Sequence, residues 1–229
     1  MERFEALRNV LFDLDGTLLD SQEGILSCIE KMLCDMGGPY LERTALRRFI
    51  GPPFQPMLQS ACGYSEEEAL RARAIFCDYY AREGLFAAQV IAGIPELLQF
   101  LRGRGLRLGV ASSKPQAYCQ TMLKHFGLSG YFCVIVGSKA DGKSPEDKAT
   151  MIRYALDALG GDAAVRGRTL MIGDRHYDVE GARAMGLECI GLNPCGFAEE
   201  GELAQAGALA VFDSAYALTE YFRAALPQA

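Results

Sequence analysis

The stretch Asn9-Val10-Leu11-Phe12-Asp13-Leu14-Asp15-Gly16-Thr17 decides how the chain is read. Val, Leu and Phe in one short run describe a buried strand. The run ends in two carboxylates two residues apart, a spacing that strand alternation would place on one face. Gly16 then permits a sharp turn. Two acids at a strand end are costly unless a cation or a proton pairs with them. The stretch therefore reads as a metal-dependent phosphoryl-transfer site or, more blandly, as a strand running into an acidic turn.

The 229-residue chain is long enough for one large domain or a domain with an insertion. A formal net charge of −6 argues against a nucleic-acid or anionic-membrane surface, which needs a basic face. A locally positive pocket for a small anion stays open. The first residues, Met1-Glu2-Arg3-Phe4-Glu5, lack the grammar of a signal peptide. No apolar run approaches the ~20 residues of a membrane span. The eight cysteines form no Cys-x-x-Cys pair and read mostly as small buried hydrophobes in a reducing, cytoplasmic setting.

From Asp20 to about residue 86 the pattern is helical. Asp20 with Glu23 forms one candidate capping box and Ser65 with Glu68 a second. Ile25, Ile29, Met32, Leu33 and Met36 recur at helical spacing, and Gly37-Gly38-Pro39 stops that helix. Short helices are expected over about 42–49 and up to Cys62, and a longer one after Ser65. From residue 87 onward strands and helices alternate. Strands are expected at 106–111, 131–136, 169–172, 187–192 and 208–212, with a helix from about Pro145 to Leu159. The expected architecture is α/β: a Rossmann-like, doubly wound parallel sheet over 1–19 and 87–229, with a four-helix cap inserted at 20–86.

In open parallel sheets ligands bind beyond the carboxyl ends of the strands. Three polar clusters lie there: Asp13 with Asp15, then Ser112-Ser113-Lys114, then Gly173-Asp174 with Asp178 four residues on. Together they offer a nucleophile, a proton carrier, acids for a hard divalent cation and donors for phosphoryl oxygens.

These residues, in this order, resemble the four motifs of the haloacid dehalogenase-like hydrolases. The position of the helical insertion resembles the phosphoglycolate phosphatase-like subfamily. The resemblance implies a Mg²⁺-dependent phosphatase acting on a small phosphorylated metabolite. Asp13 would be the nucleophile that forms an aspartyl-phosphate, and Asp15 the general acid and base. Ser112 and a lysine would steady the phosphoryl group. Asp13, Asp15 through its backbone carbonyl, and Asp174 would hold the metal, with Asp178 on its water or on the lysine. Lys148 has the usual distance to Asp174 and the usual helical sequence after it; Lys143 is the alternative. Thr17 and Ser113 in the core, and Gly51 and Arg47 in the cap, would contact substrate or order its loops. Arg48 is a further basic candidate. His176 reads as a rim residue and His125 as structural.

A calcium loop fails on spacing, since Gly16 is fourth where such a loop needs glycine sixth. A dehalogenase would not need Asp15. A phosphomutase of the β-phosphoglucomutase type shares the core, but the cap has no histidine for the His–Lys pair of those mutases. A phosphate-sensing domain would be expected to lose one motif acid, and none is lost. The identity of the phosphomonoester and the choice between monomer and homodimer stay open.

Overall fold

The computed structural model describes residues 4–51, 54–139 and 147–226. Two compact units emerge, Met1–Leu19 with Val90–Ala229, and Asp20–Gln89.

The larger unit is built on a six-stranded sheet. Its strands are β1 (Asn9–Phe12), β4 (Arg107–Pro115), β5 (Phe132–Ser138), β6 (Thr169–Gly173), β7 (Glu188–Leu192) and β8 (Val211–Phe212). They lie in the order β5-β4-β1-β6-β7-β8, and every neighbouring pair is parallel. The order reverses at β1, so a topological switch point opens at its carboxyl end. Two further strands, β2 (Leu19–Asp20) and β3 (Gln89–Val90), pair as a separate ribbon at the two chain connections between the units.

Burial explains which strands sit centrally. All four β1 residues are buried, as are all five of β6, whereas the edge strands β5 and β8 are partly exposed. Continuous apolar runs are what a parallel sheet covered on both faces requires. On one face, Leu11 and Met171 pack with Met151, Ile152 and Leu156 of α7 (Lys148–Leu159) and with Val179 and Ala182 of α9 (His176–Ala184). Alternation turns Val10 and Phe12 the other way, where Phe12 meets Phe132 of β5 edge-on; α5 (Ile94–Gly103) and α11 (Ala215–Ala225) pack against each other. At the amino ends of the central strands Asn9 joins its neighbours: its Nδ2 donates to Thr169 Oγ1 (3.0 Å), and its Oδ1 accepts from Arg107 Nε (2.8 Å).

The smaller unit holds α1 (Gln22–Asp35), α2 (Arg43–Leu46) running into a 3₁₀ turn (Arg47–Phe49), α3 (Phe54–Cys62) and α4 (Glu66–Tyr79). A π-helical turn over Tyr80–Gly84 extends α4 and was not expected from the sequence. Ser65 and Glu68 form the anticipated capping box. Asp20 and Glu23 do not: the N-cap is Ser21, and Asp20 Oδ1 accepts from Gln22 N instead (3.1 Å). Asp20 is drawn into β2, one residue too early to cap. Met36 lies past the end of α1 and is only partly buried.

Other boundaries shift for physical reasons. β4 runs on to Pro115, four residues past the expected Ala111, through an irregularity in its pairing with β5. The described part of α7 starts at Lys148 because Asp147 is extended and caps it, accepting from Thr150 N (2.9 Å). β8 begins at Val211, later than expected. Short helices at α8 (Ala163–Arg166) and α10 (Glu202–Ala206) complete the unit with α6 (Gln116–His125). All eight cysteines are free, but only Cys28, Cys119 and Cys189 are buried, fewer than their apolar neighbourhoods suggested.

Leu156 is 1 % exposed and central to the α7 face. Leu156→Ala is expected to cost about 2–5 kcal/mol in denaturant unfolding, the range for an apolar cavity that closes only partly. A loss near zero would mean that this face is not packed as described.

Candidate active site

The register of the central strands sets the site. Phe12 pairs with both Val110 and Ile172, so the residues that follow on three neighbouring strands emerge at one edge. Those residues are Asp13 after β1, Ser112 on β4 and Asp174 after β6. The crossover from β5 to β6 passes through α7 and delivers Lys148 at the first helical position.

β1 stops at Phe12, so strand alternation does not set the directions of Asp13 and Asp15. A turn does. Asp13 N still donates to Ile172 O (2.9 Å), while Gly16 N donates back to Leu19 O (2.8 Å). Gly16 has φ of +84°, and a Cβ there would lie 2.3 Å from Asp174 Oδ2. Only glycine allows both that backbone conformation and that approach.

Lys148 is the centre of charge. Its buried ammonium lies 2.6 Å from Asp13 Oδ1 and 2.8 Å from Asp178 Oδ1, and it donates to Ala111 O (3.2 Å). The ammonium is thus bracketed by two ion-paired carboxylates and one carbonyl that accepts its hydrogen bond. Burial works against this charge, but Asp13 and Asp178 overcome it and hold the lysine protonated well above its ordinary range. A cation at a helix N-terminus also opposes the helix dipole, so Lys148 is a poor local choice that the tertiary site makes favourable.

Asp178 is committed through both oxygens. Oδ1 faces Lys148, and Oδ2 accepts from Arg175 N (3.1 Å), closing the first turn of α9. The capping role and the lysine-holding role considered for this residue are therefore both present. Asp174 Oδ1 accepts from the buried Thr17 hydroxyl (3.0 Å). Asp174 Oδ2 is buried and has no hydrogen-bond partner among the described residues.

Ligand atoms of Asp13, Asp174 and Asp178 lie within 4.8 Å of one another, all buried. Burial, opposed by Lys148 and reinforced by Asp178 and Asp15, raises Asp13 to about 6. Burial followed by Asp178 and Asp13 raises Asp174 well above the carboxylate range. Burial drives both shifts, and neighbouring carboxylates add to them. Counting Asp15 and its partner Lys114, four carboxylates face two ammonium groups. The deficit of two charges and the orphaned Asp174 oxygen fit one divalent cation, and an all-carboxylate donor set suits a hard one.

Asp15 stands apart from that cluster. Its carboxylate is held by Lys114, with Nζ 3.0 and 2.9 Å from the two oxygens, so only its backbone carbonyl would be offered to a metal in this arrangement. Ser112 is buried and accepts from Lys114 N (3.3 Å). Ser113 is partly buried beside them. Arg47 and Gly51 belong to the helical unit, Arg47 exposed on the 3₁₀ turn and Gly51 exposed with φ of +101°. Lys143 lies outside the described residues.

Two participants escaped the sequence reading. Lys114 was seen only as part of a polar cluster, because its partner is 99 residues away. Glu202 opens α10 and clamps the loop between Asp174 and Asp178. Its Oε1 accepts from Arg175 Nε (2.9 Å) and His176 N (3.0 Å) and meets His176 Nδ1 (2.8 Å). Partial burial opposes the charge of Glu202, but these bonds and that from Glu199 N bring it down to about 2. His176 is thus tied to the loop, as a rim residue would be. His125 packs edge-on against Phe126 at the end of α6. Burial pushes the nearby Cys119 thiol up to about 12, which makes it a poor nucleophile.

The chain is 40% identical over 203 residues to a 5'-nucleotidase of Pseudomonas aeruginosa, covering 88% of this chain and 90% of that one. It is 38% identical over 187 residues to the tyrosine-protein kinase PtkA of Mycobacterium tuberculosis, covering 81% of this chain and 62% of PtkA. A phosphoglycolate phosphatase of Rhodospirillum rubrum is 33% identical over 221 residues, with 93% and 89% covered. A crystal structure described as a predicted phosphatase from Clostridium acetobutylicum superposes with a TM-score of 0.88 at 38% identity, covering 95% of this chain and 99% of that one. A family model matches residues 10–192, a span that runs from β1 to β7 and includes Asp13, Asp15, Ser112, Lys148, Asp174 and Asp178. The chain belongs to the haloacid dehalogenase-like hydrolase family.

Proposed function

We propose that the chain hydrolyses a small phosphomonoester by way of a phosphoryl group carried on Asp13. The chain is a phosphatase of its family, and the carrying observation is the division of labour between the first two acids. Asp13 is buried against Lys148 and the carboxylate cluster, while Asp15 is turned to a separate cation. That division supports a reading in which Asp13 receives phosphorus and Asp15 handles the proton.

In the first half-reaction an Asp13 oxygen bonds to phosphorus as the ester P–O bond breaks, and Asp15 gives a proton to the leaving oxygen. In the second, water attacks phosphorus, its proton passes to Asp15, and the Asp13–phosphorus bond breaks to release phosphate. Ser112 and Lys148 donate to the phosphoryl oxygens, and Asp178 keeps Lys148 in place. Asp13, Asp174 and the Asp15 carbonyl would hold Mg²⁺, with Asp178 beside it, and the bound cation would neutralise charge on the phosphoryl group. Thr17 fixes Asp174 and so preserves the donor set. Ser113, Arg47 and Gly51 are assigned to substrate contact from their sequence positions.

Phosphate release across nucleoside 5'-monophosphates, phosphoglycolate and sugar phosphates, with Mg²⁺ and with chelator, tests the reading. Nucleoside 5'-monophosphates come first because of the 40% identity to the 5'-nucleotidase. Metal-dependent release from one preferred ester is expected. Asp13→Asn should lower kcat by a factor on the order of 10⁴, and near-normal turnover would sink the mechanism. Lys148→Met should lower it by roughly 10²–10³. Arg47→Ala is expected to raise KM more than it lowers kcat.

The raised Asp13 gives a pH test with a definite sign. Its unfolded reference is 3.8 and its folded value about 6, so between these the folded chain keeps a proton that the unfolded chain has lost. Without metal, stability therefore falls as pH rises through that window. Above it Asp13 is an ionised ligand. Mg²⁺ should raise the melting temperature more at about pH 7.5 than at about pH 5, because protons compete for the same oxygen at the lower pH. Equal shifts at both would argue against Asp13 as a ligand.

A further inference from the structure

We propose that Lys114 is the positioning residue for Asp15, holding its carboxylate in the orientation that takes a proton from water during hydrolysis of the phosphorylated enzyme. This rests on the reading of Asp15 as the proton carrier and adds a residue that reading does not contain.

The contact is bidentate in effect: one ammonium lies 3.0 Å from Asp15 Oδ1 and 2.9 Å from Oδ2. Both side chains are largely buried, Lys114 at 7 % exposure and Asp15 at 14 %. A carboxylate held through both oxygens has lost rotation about its terminal bond, which is the freedom a general base must give up to meet its proton.

The lysine itself is held from several sides. Lys114 N donates to Ser112 Oγ, and its carbonyl accepts from Cys119 Sγ (3.5 Å). Gly137 on β5 lies so close that a Cβ there would come within 2.5 Å of Lys114 O. The Gln116 side chain bridges to the same strand, donating to Ile135 O (2.8 Å) and accepting from Gly137 N. β4 is extended past Ala111, through its pairing irregularity, by the residues that carry this lysine to the site edge. Stability alone is a weak reason for the pair, since a buried ion pair often does no better than apolar residues of the same volume. Lys148 and Lys114 come from different elements and each takes one of the two neighbouring acids. Asp13 is thereby left to phosphorus and Asp15 to the proton.

The chemistry separates this role from others. p-Nitrophenyl phosphate expels a phenolate that needs no proton, so phosphorylation of Asp13 proceeds without Asp15. Dephosphorylation still needs a base: the water oxygen bonds to phosphorus, its proton goes to Asp15, and the Asp13–phosphorus bond breaks.

With full-length protein and Mg²⁺, Lys114→Met is expected to keep kcat/KM for p-nitrophenyl phosphate within about threefold, while kcat and KM fall together by roughly 10–100-fold. A rapid burst of nitrophenolate near one per enzyme should appear, with acid-stable phosphoenzyme accumulating. Lys114→Arg should recover part of the turnover, because its fork can also meet two carboxylate oxygens. Lys114→Met in an Asp15→Ala background should slow dephosphorylation no further, since the lysine acts through that acid. Melting curves verify folding; if the methionine variant does not fold, Lys114→Gln takes its place, and the arginine variant carries the same comparison.

Loss of the burst together with turnover would make Lys114 a phosphoryl-binding or purely structural residue and overturn the proposal. Dephosphorylation at the wild-type rate in a folded variant would overturn it as well. A wild-type enzyme that releases phosphate but never accumulates or exchanges phosphoenzyme would instead defeat the Asp13 mechanism, a separate failure.

Discussion

The buried ammonium of Lys148 is the interaction on which the site depends. It stands between Asp13 and Asp178, two carboxylates that would otherwise repel each other in a dry environment. Remove that charge and Asp13 has no reason to stay ionised beneath the sheet edge. Asp178 would lose its partner while still tied to the backbone of Arg175. One side chain therefore couples the end of β1 to the first turn of α9, and its own helix begins where the dipole would not favour it. Locally unfavourable placement rescued by tertiary charge is the pattern expected of a functional site.

The charge that Lys148 and Lys114 leave uncompensated is as informative as the charge they pair. With all four carboxylates ionised, two negative charges remain uncompensated, and Asp174 Oδ2 lacks a hydrogen-bond partner among the described residues. Proteins rarely leave a buried acceptor unmatched. A divalent cation would offset that deficit; burial first, and then the neighbouring carboxylates, raise Asp13 and Asp174. The Glu202 clamp on Arg175 and His176 keeps the loop bearing two of the acids from relaxing away from that crowding.

Strand order converts these separate residues into one site. β4, β1 and β6 are adjacent and in matched register, so acids, hydroxyls and lysines spread over about 165 positions of sequence meet at one edge. The Asn9 bridge to Thr169 and Arg107 at the opposite end ties the same three strands together. Leu11 and Met171, packed under α7, fix the height at which Lys148 arrives.

The amino-acid sequence by itself determined the alternation of strands and helices, the helical insertion, and the identities of Asp13, Asp15, Ser112, Lys148, Asp174 and Asp178. The elements and the acids were legible because apolar periodicity is local and because an acid at the end of a buried strand is conspicuous, whereas Ser112 and Lys148 were candidates by resemblance to the family's motifs, with Lys143 as the alternative lysine. Tertiary structure alone decided which charges pair. Lys114 and Glu202 carry no local mark: their partners are distant in sequence, and an isolated lysine or glutamate reads as solvated surface. It also decided where β1 stops, so that a turn and not strand alternation aims the two acids, and why Ser21 rather than Asp20 takes the N-cap position of α1. In each case a residue had two competing local uses, and the choice was made by contacts from elements that become neighbours only when the sheet is assembled.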